Sequence, residues 1–185
     1  MLVAKNGDVL ILTKPLGIGI GVEAIDRKVV TPQFTQIIGE YMVQFNAAVY
    51  DLCQRESESV HAVVAVNCRG LLGHVFDICR AGRVRSEIQL EQVPLISGVA
   101  SLAEREIVPT AAYDNLNAYS KFVRFDRSIP KSARLVLADP QMNGGLLIAV
   151  APSAVNRLMR ALARRRRDGF AIGTIHRGRP RVDIS

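Results

Sequence analysis

The chain has 185 residues, 49% of them hydrophobic and 22% charged, a composition that excludes disorder as the dominant state and fits one packed domain. No apolar run approaches the 18 residues of a membrane-spanning helix, and Cys53, Cys68 and Cys79 have no CxxC spacing, which excludes a zinc ribbon or a redox pair. The net charge of +7 is concentrated. Residues 1–156 balance, and nine arginines against two aspartates from Arg157 onward carry the whole excess.

Asp8 to Thr13 is a short β-prone apolar run, expected as a buried strand. Lys14-Pro15-Leu16-Gly17 breaks it, and Gly19 and Gly21 follow. From Thr31 to Arg55 a helix is expected. Thr31 is its N-cap, Pro32 stands at the first helical position, and Tyr41, Phe45, Val49 and Leu52 form one apolar face. His61 to Val66 reads as a second buried strand. Gly70 to Cys79 reads as a helix ended by Gly82, and Ser86 to Leu90 alternates like a half-buried strand. Val99 to Ile107 is expected as a short helix closed before Pro109. Pro109 to Pro130 reads as a long irregular stretch, of the kind that is usually functional or poorly ordered. Arg134 to Ala138 and Leu146 to Val150 are expected as two strands of a hairpin-like unit around the Asp139–Gly145 turn. Pro152 to Arg167 is expected as a helix with Val155, Leu158, Met159 and Leu162 on one face. Ala171 to Ile175 and Arg181 to Ile184 close the chain as strands around a Gly178 turn. The interleaving predicts an α/β (α+β) layered sandwich, a mixed sheet with helices, in a single domain over residues 1–185.

The chemistry-bearing residues are sparse. Gly17-Ile18-Gly19-Ile20-Gly21 sits where a phosphate loop would open a helix. Its GxGxG spacing is not GxGxxG and no Gly-Lys-Ser/Thr follows, so a tight strand-to-helix turn is the expected role. His61, His74 and His176 are far apart, no HExxH or GxSxG pattern occurs, and His74 reads as a hydrogen-bonded structural histidine. Cys68 lies at a strand-to-helix junction, where a helix dipole would lower its pKa; a buried, inert thiol is the expectation. Asp139 precedes a proline in a glycine-rich turn, where it holds a metal or caps the turn. Arg157, Arg160 and the run Arg164, Arg165, Arg166 and Arg167 close a predicted helix, where positive charge suits the C-terminal dipole. The same arginines form a possible anion patch for phosphate or nucleic acid, although no aromatic residues accompany them. No catalytic constellation emerges from residue chemistry alone.

Three segments together resemble a known family. The run Asp8-Val9-Leu10-Ile11-Leu12-Thr13-Lys14-Pro15-Leu16-Gly17 is similar to the start of the C-terminal domain of selenophosphate synthetase (selenide, water dikinase). Gly70-Leu71-Leu72-Gly73-His74 resembles the GLLGH after that family's TDVTGF segment. Asp139-Pro140-Gln141 with Gly144-Gly145-Leu146-Leu147-Ile148 resembles its DPQTSGGLL signature. Weaker matches lie at Val93-Pro94 and at Ile107-Val108-Pro109 followed by Asn115. The resemblance spans about Gly7 to Asp183. It implies an α/β sandwich of partial ferredoxin-like topology and an aminoimidazole ribonucleotide synthetase-related superfamily. It also implies a family reaction in which ATP, selenide and water give selenophosphate, AMP and phosphate, with ATP and Mg²⁺ as family cofactors. The implied motif positions are Lys14, Gly70, Gly73, His74, Asn115, Asp139, Gln141, Gly144 and Gly145.

Departures from the family pattern fall on ligand-facing positions. The family Asp of TDVTGFG, which contributes to the Mg²⁺–ATP site, aligns with Ala65, and alanine cannot ligate a metal. Asn67, Cys68 and Arg69 stand for its Thr, Gly and Phe. Met142 and Asn143 stand for the Thr and Ser of DPQTSGG, and Pro109-Thr110-Ala111 for a PGG. Only six residues precede Gly7, so the family's N-terminal ATP-binding domain is expected to be missing. These readings imply no catalytic residue and no kinase turnover by this chain alone. They also imply self-association (a homo-oligomer) or a separate nucleotide-binding subunit as partner, no membrane contact and a reduced, cytoplasmic setting. A split dikinase active with a partner and a basic anion-binding module are the alternatives.

Overall fold

The computed structural model describes residues 3–185. Fifteen regular elements follow one another: β1 (Val9–Leu12), α1 (Ile18–Asp26), α2 (Pro32–Val43), α3 (Ala47–Arg55), β2 (Val60–Ala65), α4 (Gly70–Gly82), β3 (Val84–Ile88), α5 (Val99–Glu104), α6 (Thr110–Tyr119), β4 (Val123–Phe125), α7 (Lys131–Ala138), β5 (Leu146–Val150), α8 (Val155–Arg164), β6 (Phe170–Arg177) and β7 (Arg181–Ile184). The strands form one mixed sheet in the order β2-β5-β1-β6-β3-β7-β4. All neighbours pair antiparallel except β3 with β7 and β4 with β7. The expected layered α/β sandwich is therefore present.

The period-2 alternation of the strands decides which helices lie where. Leu10, Leu12, Leu147, Ala149, Val182 and Ile184 point to one face. There they pack with Leu71, Leu72, Val75 and Phe76 of α4 and with Leu137 and Ala138 of α7. Ile11, Leu146, Ile148 and Val150 point the other way, against Val49 and Leu52 of α3 and Leu158 and Leu162 of α8. A third apolar cluster joins α1, α2, α5 and α7 through Ile18, Ile20, Ile38, Val99, Leu102 and Leu135. At about 25 cal/mol per Å² of buried apolar surface, these three clusters are what hold the α/β layers together. The opposite face of the β6-β3-β7 half carries Arg85, Glu87, His176, Arg181 and Asp183, with the cross-strand ion pair Arg85–Asp183 (3.2 Å) and the pair Arg181–Asp183 within β7 (2.8 Å) lying on it.

Several expected elements are corrected. The helix expected from Thr31 to Arg55 is two helices. Its start is as read: Thr31 Oγ1 accepts the Phe34 N–H at 3.2 Å and Pro32 opens α2. But Gln44 is extended, and Phe45 sits in the link with 77% of its surface exposed rather than on a buried face. The break follows from tertiary hydrogen bonds. The carbonyl oxygens of Tyr41 and Gln44 accept from Lys14 Nζ, and those of Met42 and Gln44 accept from Asn143 Nδ2. These donors stand in for the amides that would have continued the helix.

The stretch from Pro109 to Pro130 is not irregular. Extended Pro109 leads into α6, which buries Ala112, and β4 follows. Arg134 to Ala138 is helical, not a strand, and lies in α7 behind Pro130. Leu135 and Val136 face one cluster and Leu137 and Ala138 another. A short apolar run buried on all sides has no period that distinguishes strand from helix. Accordingly β5 has no hairpin partner at 134–138 and lies between β1 and β2. The strand expected over Ser86–Leu90 is shifted to β3, and Leu90 opens a 3-10 turn. Strands β6 and β7 flank β3 rather than each other.

Candidate functional site

Four links meet at one end of the sheet: β1–α1 (residues 13–17), α7–β5 (139–145), β2–α4 (66–69) and α2–α3 (44–46). The α7–β5 turn is their hub. Val66 N–H donates to Gly145 O at 2.9 Å and Gln141 N–H to Asn67 O at 3.0 Å. Asn46 Nδ2 donates to Gly144 O at 2.8 Å. A Cβ on Gly144 would stand 2.5 Å from Val66 O, and one on Gly145 would stand 2.5 Å from Lys14 N. Both positions therefore accept only glycine while the links stay this close. The motif positions of the sequence thus come together, including Lys14 and Asn115, which are 101 residues apart in the chain.

Asp139 is fully buried. Its Oδ2 accepts the Gly19 N–H at 3.0 Å and a Gln141 Nε2–H at 2.7 Å, while Oδ1 has no partner among the described residues. Gln141 Oε1 accepts the N–H groups of Gly17 and Ile18, both at 3.3 Å. These two side chains close the N-terminus of α1. Burial pushes the Asp139 carboxyl up to about 7, against the opposing pull of the donated N–H groups. Of the two roles open from sequence, capping is the one observed, but the cap falls on α1 rather than on the aspartate's own turn. Gly17 takes φ +120°, open to glycine and strained for other residues. The Gly17–Gly21 cluster is a tight strand-to-helix turn whose amides already have acceptors, so it has no free N–H nest for a phosphate.

Lys14 is 2% exposed. Its ammonium donates to Gln44 O (2.6 Å), Asn143 O (2.7 Å) and Tyr41 O (3.3 Å). Among the described residues no carboxylate takes part in this clamp. Burial, with the nearby Arg167 charge second, lowers its pKa to about 8. His74 is 1% exposed, with Nε2 2.8 Å from Asn67 Oδ1 and Nδ1 3.8 Å from Asp77 Oδ2. Burial and the neighbouring Arg69 hold it down to about 4, so it is a neutral structural imidazole at pH 7. Asn115 Nδ2 donates to Cys68 O (2.8 Å) and Ala138 O (2.9 Å), tying α6 to both links. Gly70 has φ +64° and lies against Ala138, where a Cβ would meet the backbone carbonyl at 2.6 Å. Gly73 faces the Tyr119 ring. Cys68 is exposed, not buried as expected, whereas Cys53 and Cys79 are buried.

Two contributors were not legible in the sequence. Asn67 orients His74, and Asn143, at φ +54°, fastens the end of α2. Asn143 also shows what replaced the family hydroxyl: an amide that binds backbone carbonyls of its own chain. Apart from this hub, His61 Nδ1 donates to buried Asp8 at 2.8 Å, an aspartate–histidine pair joining β2 to the segment before β1.

Ala65 ends β2 at the rim of the hub and is exposed. It pairs with Leu146 of β5, just past the Asp139–Gly145 turn. Among the described residues no three His, Cys, Asp or Glu side chains are placed to share a metal ion, and Asp139, the carboxylate of the hub, is fully buried with one oxygen taken by amide donors. Magnesium requires hard, accessible oxygen ligands, so these residues do not fit it.

The family model for the AIR synthase related protein, C-terminal domain, matches residues 5–184. The chain belongs to this family. Its curated relatives include selenide, water dikinases from Myxococcus xanthus strain DK1622 (38% identity over 181 residues, 98% of this chain and 51% of the relative) and Paraburkholderia xenovorans strain LB400 (34% over 185 residues, 98% and 51%). The chain thus spans about half the length of these relatives. The fold is shared with E. coli HypE (TM-score 0.66, 16% identity, 97% of this chain and 47% of that chain). It is also shared with thiamine-monophosphate kinase from Stenotrophomonas maltophilia K279a (TM-score 0.60, 15% identity, 98% and 51%). A selenophosphate synthetase-like C-terminal domain is therefore established as the fold and kinship of this chain.

Proposed function

We propose that this AIR synthase-related domain serves as a non-catalytic docking domain for a nucleotide-binding domain of the selenide, water dikinase type and does not turn over ATP itself. The observation that carries the reading is Ala65. The exposed end of β2 presents a methyl group where the resemblance puts the metal-binding aspartate, and Met142, in the turn before β5, stands where the resemblance puts a hydroxyl. Phosphoryl transfer rests on positioning and on neutralising charge with metal and cations. The hub offers neither a metal ligand nor a free amide nest.

Its interior is nonetheless intact, with Lys14, Gln141, Asp139 and Asn115 all engaged. Around the rim stand Val43 (69% exposed), Phe45 (77%) and Met142 (45%). Asn143 holds the α2 end beside the turn that carries Met142, which keeps these apolar groups together. An apolar rim on a rigid base suits a partner domain. The test is AMP formation from ATP and selenide, by the chain alone and mixed with the separately produced nucleotide-binding domain of the Myxococcus relative. Neither sample should exceed the blank, while the two proteins should co-migrate on gel filtration. AMP from the chain alone would overturn the reading. AMP from the mixture would replace it with a split dikinase.

A further inference from the structure

The arginine run takes no part in the hub's hydrogen bonds among the described residues, and it is the densest group of arginines in the sequence. Arg69, Arg80, Arg85, Arg157 and Arg181 all have carboxylate partners: Asp77, Asp183 and Glu56. Among the described residues no carboxylate pairs with Arg160, Arg164, Arg165, Arg166 or Arg167. Arg160 Nε donates to Asn156 O (3.1 Å), Arg164 Nε to Arg160 O (3.4 Å) and Arg165 Nη1 to Ala161 O (3.1 Å). One donor of each guanidinium thus holds the side chain along α8, and its remaining N–H groups stay available. Arg166 has φ +53° and reverses the chain just past the helix. Arg167 Nε is a buried donor with no acceptor.

We propose that the exposed face and C-terminal end of α8 form a sequence-independent contact for a nucleic-acid phosphate backbone. Arg160 and Arg164 lie one helical turn apart, about 6 Å along the axis, a spacing of the order of neighbouring phosphates on one strand. Guanidinium forks match phosphate oxygens, and a helix end alone gives no reason for five unpaired cations in eight residues. A lipid surface fits less well. Leu158 and Leu162 are 1% and 0% exposed, so α8 has no apolar face left to insert into a bilayer. The inference does not rest on the docking reading: it stands on the guanidinium donors along α8, of which only Arg167 lies close enough to the hub to act on the Lys14 charge.

The test is fluorescence anisotropy of a labelled mixed-sequence 20-nucleotide single strand titrated with the full chain at 50–200 mM salt. With about four phosphates neutralised, log K should fall with log salt at a slope near −2.8, a loss of roughly 50-fold over that range. Replacing Arg160, Arg164, Arg165 and Arg166 together by Gln should abolish binding, and the four Lys replacements should keep it within several-fold, both with an unchanged circular dichroism spectrum. No binding at 50 mM salt, binding that survives the Gln variant, or tighter association with phosphatidylserine vesicles than with the oligonucleotide would each overturn the proposal.

Discussion

Replacing Asp139 by Asn tests whether the latch on α1 is a buried neutral acid. The fold raises the carboxyl from an ordinary value of 3.8 to about 7, so the folded state binds the proton more tightly than the unfolded chain. Stability from this group is fully present below about pH 4 and is lost as pH rises toward 7. Between pH 5 and 8 the loss is about 2.5 kcal/mol. His74 acts in the opposite sense. Its pKa falls from 6.5 to about 4 in the fold, so its protonation costs stability below pH 6.5. That term returns about 2 kcal/mol between pH 5 and 8. In the native protein the two nearly cancel.

The Asn side chain keeps an oxygen for the Gly19 N–H and Gln141, and it cannot ionise. Urea unfolding followed by circular dichroism at pH 5, 6, 7 and 8 should show the variant gaining on the native protein by about 2.5 kcal/mol across the series. A stability difference that does not change with pH would refute the reasoning. It would mean that Asp139 is an anion in the fold and that the amides of α1 outweigh its desolvation.

Other expectations follow from the same geometry. Gly19→Ala drives a methyl group into the Pro140 carbonyl and within 2.5 Å of Asp139 Oδ1; it should cost about 1–3 kcal/mol in urea unfolding, and a neutral result would show that α1 can slide. Lys14→Met leaves three carbonyls without their shared donor. About 2–4 kcal/mol should be lost, with amide exchange rising first in the α2–α3 link and the 141–145 turn, whereas unchanged exchange there would remove the clamp from the account. Thiol titration of the native chain with an aromatic disulfide reagent should consume one equivalent, at Cys68, and three in urea. Cys53 is buried and its thiol is pushed up to about 11, so its rapid reaction in the native state would contradict the packing.

Much of the architecture was legible because alternation and caps are local signals. Val9–Leu12, Val60–Ala65, Leu146–Val150 and the Thr31–Pro32 helix start are examples. The misreadings share one cause. In α7, Leu135 to Ala138 are buried on every side, so no polar stripe marks the helix. At Gln44 the helix ends because Lys14 and Asn143, distant in sequence, take its carbonyls. The motif residues of the hub were visible through the family resemblance, yet residue chemistry could not say that Asp139 and Gln141 cap α1, since the contact joins positions 120 or more residues apart. The exposure of Cys68 likewise depends on how the β2–α4 link turns outward, which no local pattern encodes.

The central claim is that the hub keeps the family's scaffold without its Mg²⁺–ATP site, and calorimetric titration of the folded chain with ATP, with and without Mg²⁺, tests it most directly. The account expects no metal-dependent heat at millimolar ATP. Micromolar binding that requires Mg²⁺ would contradict it, because a metal–nucleotide site would then exist without a carboxylate at Ala65.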